Sequence, residues 1–407
     1  MRSKRIIAAL LCAVIPIGTA VLPTVVPVTL SAEAAAVIDS GTCGKNASWQ
    51  LDSDGTLTVS GTGDMSSSLD SSPCPWKEYK KEIKTVVIGN GITRVGANNF
   101  SSCSNLVSVS FPDTLKGISE SAFSSCNSLE SVVLPDSLTY IGNFAFALCK
   151  GLTDITIPSS VTSIGSLAFS TTKWLDDQTK KSDYVIVNGM LIWAADKEEL
   201  TIPDQVSKIL DNSIWGRSKV KSIVFPDTVT AFGNNSMAEC SSLVSVTFPE
   251  SVVNIGLQTC VNCTALEEIV ILNPDCRIYD RANTFTNENG KYSGVIKGYD
   301  GSTAEAYAEK YGYSFVSLGQ RPPEYSFGDV NGDGMIDAVD ASDVLAYYAR
   351  VSTDQEGGFG KKQQAAADVD MNGFIDSVDA SDILSYYAYV STEGGNVLSL
   401  EAYMKNK

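Results

Sequence analysis

The sequence predicts a β-rich solenoid of stacked coils, capped at both ends and followed by a small all-α unit. Three observations predict it. A 23-residue segment recurs along the middle of the chain. An acidic, glycine-containing loop occurs twice near the C-terminus, 39 residues apart. Repeats and one hairpin occupy nearly all of residues 83–285, which leaves no room for a separate catalytic barrel.

The repeat is explicit. LVSVSFPDTLKGISESAFSSCNS starts at Leu106, LESVVLPDSLTYIGNFAFALCKG at Leu129 and LTDITIPSSVTSIGSLAFSTTKW at Leu152. After an interruption, VKSIVFPDTVTAFGNNSMAECSS starts at Val220 and LVSVTFPESVVNIGLQTCVNCTA at Leu243, with degenerate copies near Ile83 and at Leu266. Apolar residues at repeat positions 1, 4 and 6 (Leu129, Val132, Leu134) alternate along a short strand and face inward. Proline at position 7 (Pro112, Pro135, Pro158, Pro226, Pro249) cannot donate to a ladder, so it ends that strand. A second apolar pair (Leu138, Ile141) closes the coil, and Gly142, Gly165, Gly233 and Gly256 mark a tight turn after it. Position 18 is a large filler: Phe123, Phe146, Phe169, Met237. One such coil cannot bury its own apolar edges, whereas stacked coils share a continuous core. Most strands are expected in one parallel sheet.

Residues 175–199 interrupt the array, and DYVIVNGMLIW within them reads as a hairpin around Asn188-Gly189. Residues 37–82 form an N-terminal β cap with a hairpin turn at Gly55, and residues 286–319 a C-terminal cap with a short helix over Thr303–Tyr311. Residues 320–327, with Pro322-Pro323, are an extended linker to a unit at 328–396, and 397–407 are a tail.

Arg2, Lys4 and Arg5, an apolar run and then Ala34-Ala35-Ala36 predict a secretory signal over residues 1–36. Pro16, Pro23 and Pro27 make that run a poor spanning helix, so an exported protein without membrane insertion is expected. The chain of 407 residues carries a net charge of −17 and no histidine. The charge argues against nucleic acid or anionic membranes as partners, and the missing histidine removes Ser-His-Asp and Cys-His catalysis. Of ten cysteines, Cys12 leaves with the signal. Cys103, Cys126 and Cys149 follow the 23-residue period, as do Cys240 and Cys263, so they read as small buried residues at one repeat position. Cys43 and Cys74, ahead of the array, are the candidate disulfide, and Cys260-x-x-Cys263 is a weak metal or redox motif without a second pair.

The doubled loop reads DVNGDGMIDAVD at 329–340 and DVDMNGFIDSVD at 368–379. Carboxylate or amide groups at loop positions 1, 3, 5, 9 and 12, with glycine at 6, wrap a chain around Ca²⁺. The expected ligands are Asp329, Asn331, Asp333, Asp337 and Asp340, then Asp368, Asp370, Asn372, Asp376 and Asp379. Met335 and Phe374 at position 7 contribute backbone carbonyls, giving two ions in all. Residues 328–396 hold 11 Asp and 2 Glu against 3 Lys/Arg, so a metal-free form should be loose or unfolded. Each loop runs into an apolar stripe, Val344, Leu345 and Tyr348 or Ile383, Leu384 and Tyr387, through which two helices pack.

The repeats, the opening SGTCG…WQLDSDGTLTVSGTGDM and the closing GVIKGYDGSTAEAYAEKYGYSFVSLG resemble the BspA-like surface proteins over residues 37–319. That resemblance implies a leucine-rich repeat solenoid with end caps. Residues 328–396 resemble a type I dockerin, with 14 of 21 positions identical between its two halves. This implies an all-α calcium-binding domain that plugs into a cohesin of a scaffold protein in a cellulosome. Dockerins use Asp at loop position 12, as here; Met371 replaces glycine at position 4 of the second loop, where no ligand is donated. By resemblance, loop positions 10 and 11 meet the partner: Ala338, Val339, Ser377 and Val378. Near-identical halves allow two binding orientations related by a half-turn.

The sequence therefore favours a secreted, non-catalytic component whose dockerin binds a cohesin while the solenoid presents a face to a protein or surface ligand. A carboxylate glycoside hydrolase would need paired acids on rigid elements, and none recurs on the outward strand positions. Asp176, Asp177 and Asp183 in the interruption read as solvated loop charges. Direct polysaccharide binding wants a row of aromatic rings, and Trp49, Trp76, Trp174, Trp193 and Trp215 do not share a repeat position.

Overall fold

A computed structural model describes residues 35–68, 74–287, 290–321, 325–392 and 397–407. The expected signal peptide lies outside them except for residues 35 and 36. Among the described residues no helix is long and apolar enough to cross a membrane.

The N-terminal cap is an antiparallel meander of Val37–Thr42, Asn46–Asp52 and Thr56–Asp64. Its second turn closes at Gly55, whose φ of 85° favours glycine. The third strand runs parallel to Thr85–Ile88 and so starts the stack.

The coils form two parallel ladders rather than the single sheet expected. One contains the strands before each proline, such as Ser131–Val133 beside Asp154–Thr156. The other contains two-residue strands just before position 14, such as Gly117–Ile118, Tyr140–Ile141 and Ser163–Ile164. Proline ends the first strand, and the chain turns before the second apolar pair can pair. Partners in both ladders are 23 residues apart.

Between the ladders lies an aromatic spine. Trp76, Phe100, Phe123, Phe146 and Phe169 stack in sequence, with centroids 5.2, 5.2, 5.5 and 6.0 Å apart, and Trp174 closes the column edge-on. Position 9 adds a polar ladder that periodicity of apolar residues does not reveal. The hydroxyls of Ser137, Ser160, Thr228 and Ser251 donate to the carbonyls of Leu115, Leu138, Val206 and Val229 in the preceding coil, at 2.6–2.7 Å.

Glycine at position 14 has a different reason from the one expected. A Cβ on Gly142 would sit 2.6 Å from the backbone of Ser119 and Glu120 in the coil below, and one on Gly165 2.4 Å from the Asn143 nitrogen. The glycine permits close stacking of coils. The left-handed turn residues are at positions 16 and 20 and are mostly not glycine: Ser121, Ser125, Phe144, Leu148, Asn235 and Glu239 all have φ near 60°.

The interruption is shorter than 175–199. Helix α1 (Lys173–Lys181) and the hairpin Tyr184–Val187/Met190–Ala194 fill it, with Asn188 and Gly189 at φ 50° and 75° in the turn. The Thr172 hydroxyl caps α1 by accepting from the Leu175 N–H at 3.1 Å, and Trp174 anchors it on Phe169. Residues 197–219 are a further coil: Glu199–Thr201 pairs in parallel with Ser222–Val224, and Lys208–Ile209 with Ala231–Phe232. The acids Asp176 and Asp177 are on α1 rather than in a loop. Asp177 pairs with Lys173, which holds its carboxyl below the usual range, and with Lys180; Asp183 pairs with Lys197.

At the other end, α2 (Thr303–Tyr311) is capped by Ser302 and stops at Gly312. It buries Ala304, Tyr307 and Ala308 over the last coil, and Tyr307 meets Phe285 at 5.5 Å.

All nine described cysteines are buried thiols. The Cys43–Cys74 disulfide is not formed; both side chains pack into the cap core as small apolar groups. The Cys126, Cys149, Cys240 and Cys263 thiols donate to carbonyls 26 residues earlier at 3.0–3.2 Å, so their period has a structural use. Cys260 occupies the filler position of its coil and Cys263 the thiol position, so the pair follows from the repeat.

The C-terminal module is helical: α3 (Ala338–Val351), α4 (Lys361–Ala367), α5 (Ser377–Thr392) and α6 (Leu400–Lys405). Its core joins Val330, Ala341, Val344, Ala367, Val369, Ala380, Ile383 and Leu400.

Candidate metal centre

Each loop is built by its own carboxylates. Asp329 Oδ1 accepts from the Gly332 and Asp333 N–H groups at 2.7 and 3.1 Å, and its Oδ2 from Gly334 at 2.9 Å. Asn331 Oδ1 accepts from Asp333, and Asp333 Oδ1 from Met335, each stepping the chain around the loop. Asp340 closes the circle: Oδ1 accepts from Val330 and Asn331 at 2.7 and 3.1 Å, and Oδ2 from Asp337 at 2.9 Å. The second loop repeats this, with Asp368 accepting from Asn372 and Gly373, and Asp379 from Val369, Asp370 and Asp376.

The last two expected ligand positions also start the helices. Asp337 accepts from the Val339 N–H while Asp340 accepts from the Asp337 N–H, a reciprocal cap at the head of α3. Asp376 and Asp379 do the same for α5. Asp at position 12 therefore serves two ends, closing the loop and capping the helix. Asp340 and Asp379 are fully buried, and that burial pushes both carboxyls above their usual range despite three backbone donors each.

The donor set fits a hard divalent cation. It is all oxygen, and carboxylate oxygens of Asp368, Asp370 and Asp379 lie within 4.8 Å of one another. Carboxylates so close repel unless a cation is among them. Met335 and Phe374 project outward, 59% and 72% exposed, in keeping with ligation by their carbonyls alone.

A family model for the BspA type leucine-rich repeat region matches residues 78–189 and 193–290 in six copies, more than half of the chain. The chain belongs to the BspA-type leucine-rich repeat family. A second model, the dockerin type I domain, matches residues 327–386 of this leucine-rich repeat protein. Calcium binding and a cohesin partner go with the dockerin, and protein binding with the repeats; neither matched domain is catalytic. Among solved structures, a leucine-rich repeat protein from Eubacterium ventriosum is 22% identical, covering 64% of this chain and 85% of that one, with a TM-score of 0.38. One from Bacteroides ovatus is 19% identical over 70% and 79%, with a TM-score of 0.34. The leucine-rich repeat protein of T. pallidum is 24% identical over 48% and 86%, with a TM-score of 0.28. No curated protein matches the chain.

In this BspA-type protein the four loop residues expected at the partner, Ala338, Val339, Ser377 and Val378, are exposed. The helical stripes need correction. Val344 and Ile383 enter the core with Ala341 and Ala380, but Leu345, Tyr348, Leu384 and Tyr387 face outward. Leu345 and Leu384 follow a core residue directly, and one helical step of about 100° turns them away from it. The exposed set is matched between halves: Val339 and Val378 at 52% and 49%, Leu345 and Leu384 at 44% and 42%, Tyr348 and Tyr387 at 41% and 43%.

The segment 397–407 is not a loose tail. Leu400 is buried, Tyr403 packs on Tyr386 and Tyr389 at 5.5 and 5.0 Å, and Lys407 pairs with Asp382. The contact uses Gly328, where a Cβ would lie 2.2 Å from Leu400 Cδ2.

Proposed function

We propose that this protein is an exported, non-catalytic component of a multiprotein assembly. Its dockerin binds two Ca²⁺ ions, one per loop, and so presents a surface for the cohesin of a scaffold protein. Asp329, Asn331, Asp333, Asp337 and Asp340 with the Met335 carbonyl hold one ion; Asp368, Asp370, Asn372, Asp376 and Asp379 with the Phe374 carbonyl hold the other. The ions offset crowded carboxylate charge and fix the turns from which α3 and α5 start. The solenoid serves as the binding face for a second protein.

The observation that carries this reading is the matched apolar set on α3 and α5. Six apolar side chains exposed to nearly the same extent in both halves give two equivalent faces that water alone does not favour. Packing leads the contact, with Leu345, Tyr348 and Val339 or their counterparts as anchors. Equivalent faces permit two orientations on the partner.

The test is capture by an immobilised cohesin domain in calcium. Leu345→Ala/Tyr348→Ala alone and Leu384→Ala/Tyr387→Ala alone should each keep binding, and the combined variant should lose at least 100-fold. Loss in one single-face variant only would limit the dockerin to one orientation; full retention in the combined variant would place the cohesin elsewhere.

A further inference from the structure

The two halves of the solenoid do not join as their other coils do. In every complete junction around residues 98–148, alternate N–H groups of one coil donate to carbonyls of the next: Phe144, Phe146 and Leu148 donate to Ser166, Ala168 and Ser170 at 2.7–2.9 Å. The same row resumes where Asn212, Ile214 and Gly216 donate to Asn234, Ser236 and Ala238. Between these, the N–H groups of Leu167, Phe169 and Thr171 have no acceptor among the described residues. The carbonyl of Ser213, which the repeat would offer to that row, accepts instead from Ala194 of the inserted hairpin. The hairpin and α1 seal the apolar core at this seam, and the Asn212 amide donates to the Ser166 hydroxyl across one end of it at 2.6 Å, but the backbone donors of the turn row stay unpaired among the described residues. Phe169 is a buried residue whose N–H has no acceptor among the described residues, and buried backbone donors are rarely left unpaired.

A cavity of about 200 Å³ adjoins that row. Leu167, Phe169 and Leu175 line one side and Trp193, Trp215 and Arg217 the other. Trp215 is 46% exposed, unusual for this side chain in a coil turn. The Arg217 guanidinium is 5.1 Å from the Trp193 ring centre and is tied by Nε to the Ala194 carbonyl at 2.6 Å. Arg217 stands where five other coils have a buried cysteine and two have Thr172 or Thr286, so this coil alone puts a charge at that position.

We propose that this seam binds a peptide segment of a partner protein, with one large apolar side chain in the cavity. The three donors lie on alternate residues of a turn row, and at the other junctions such donors meet the carbonyls of the next coil turn, so the bound segment would supply those carbonyls in place of the missing turn. The tryptophans and Leu175 supply the apolar pocket, and Trp215 at its mouth is the anchor. A sugar would use the rings but has no reason to match the spacing of the N–H row. This site deepens the reading of the solenoid as a protein-binding face and rests on it.

The test pans a random-peptide display library on the full-length protein and on its Trp215→Asp variant, with cello- and xylo-oligosaccharides assayed in parallel. Hydrogen exchange is read over residues 166–172. Peptides with a large apolar residue should be enriched on the wild type, lose at least tenfold in affinity on Trp215→Asp, and slow exchange of the Leu167, Phe169 and Thr171 amides. Peptides retained equally by both proteins would overturn the seam while keeping a protein-binding solenoid. Failure to enrich any peptide would overturn both readings. Oligosaccharide binding without amide protection, or amides already protected in the free protein, would also overturn the peptide site.

Discussion

Asp337 and Asp340 hold the head of α3 from both sides: Val339 donates to Asp337 Oδ1 at 2.7 Å, and the Asp337 N–H donates to Asp340 Oδ2 at 2.9 Å. Both residues are also proposed calcium ligands, so the cation and the helix would share the same side chains. Asp340→Ala should remove one ion of two and, with the cap, about 0.5–2 kcal/mol of helix stability. Far-ultraviolet ellipticity measured at saturating calcium should stay below wild type. Full recovery of the signal at high calcium would separate ligation from capping.

Met371 has φ 58°, where the first loop has Gly332 at φ 73°. A side chain in this left-handed region costs about 1–2 kcal/mol, offset by the extra freedom of glycine in the unfolded chain, about 0.5–1 kcal/mol. Met371→Gly should therefore raise dockerin stability by about 0.5–1 kcal/mol, and Gly332→Met should lower it. Calcium-loaded thermal unfolding reads both, and opposite signs are the expected result. The side chain of Met371 is 62% exposed, so little packing is lost.

Gly142 has an ordinary φ, yet its Cβ would strike the coil below at 2.6 Å. Gly142→Ala should destabilise the solenoid by about 1–3 kcal/mol through forced separation of coils. Denaturant unfolding of the full chain measures it. An unchanged midpoint would mean that position 14 reflects something other than close stacking.

Burial pushes the Cys103 and Cys240 thiols up to about 12. An unfolded thiol titrates near 8.5, so these groups remain protonated in the fold when they would ionise in the open chain. The folded state then binds more protons above that point, and its stability is present at pH 8 and falls as pH rises from about 8.5 towards 12. Iodoacetamide at pH 8 should label none of the nine buried thiols until denaturant is added. Rapid native labelling of Cys126 or Cys149 would contradict their packed environment.

Much of this molecule was legible because its information is periodic. Leu129, Val132 and Leu134 announce a strand, and Pro135 its end. The doubled loop places the expected ligands and the helix starts together. The illegible parts are non-periodic or depend on which neighbour a residue meets. The coil at 197–219 is masked in the sequence because it follows a hairpin and has Arg217 in the thiol position, although TIPDQVSKI carries the same proline and apolar spacing. Gly142 reads as a turn residue because sequence shows composition and not the approach of the coil beneath. Leu345 and Leu384 read as part of a helical core stripe, whereas a single step around the helix turns them to solvent. The role of Leu400 needed the partner surface at Gly328, which is 72 residues away in the chain.

Calcium titration of the full-length protein by calorimetry, followed by cohesin capture with and without chelator, tests the central claim most directly. The account predicts uptake of two ions per chain, a gain in helicity on binding, and capture that disappears when the ions are removed. No calcium uptake, or undiminished capture of the chelated protein, would contradict it.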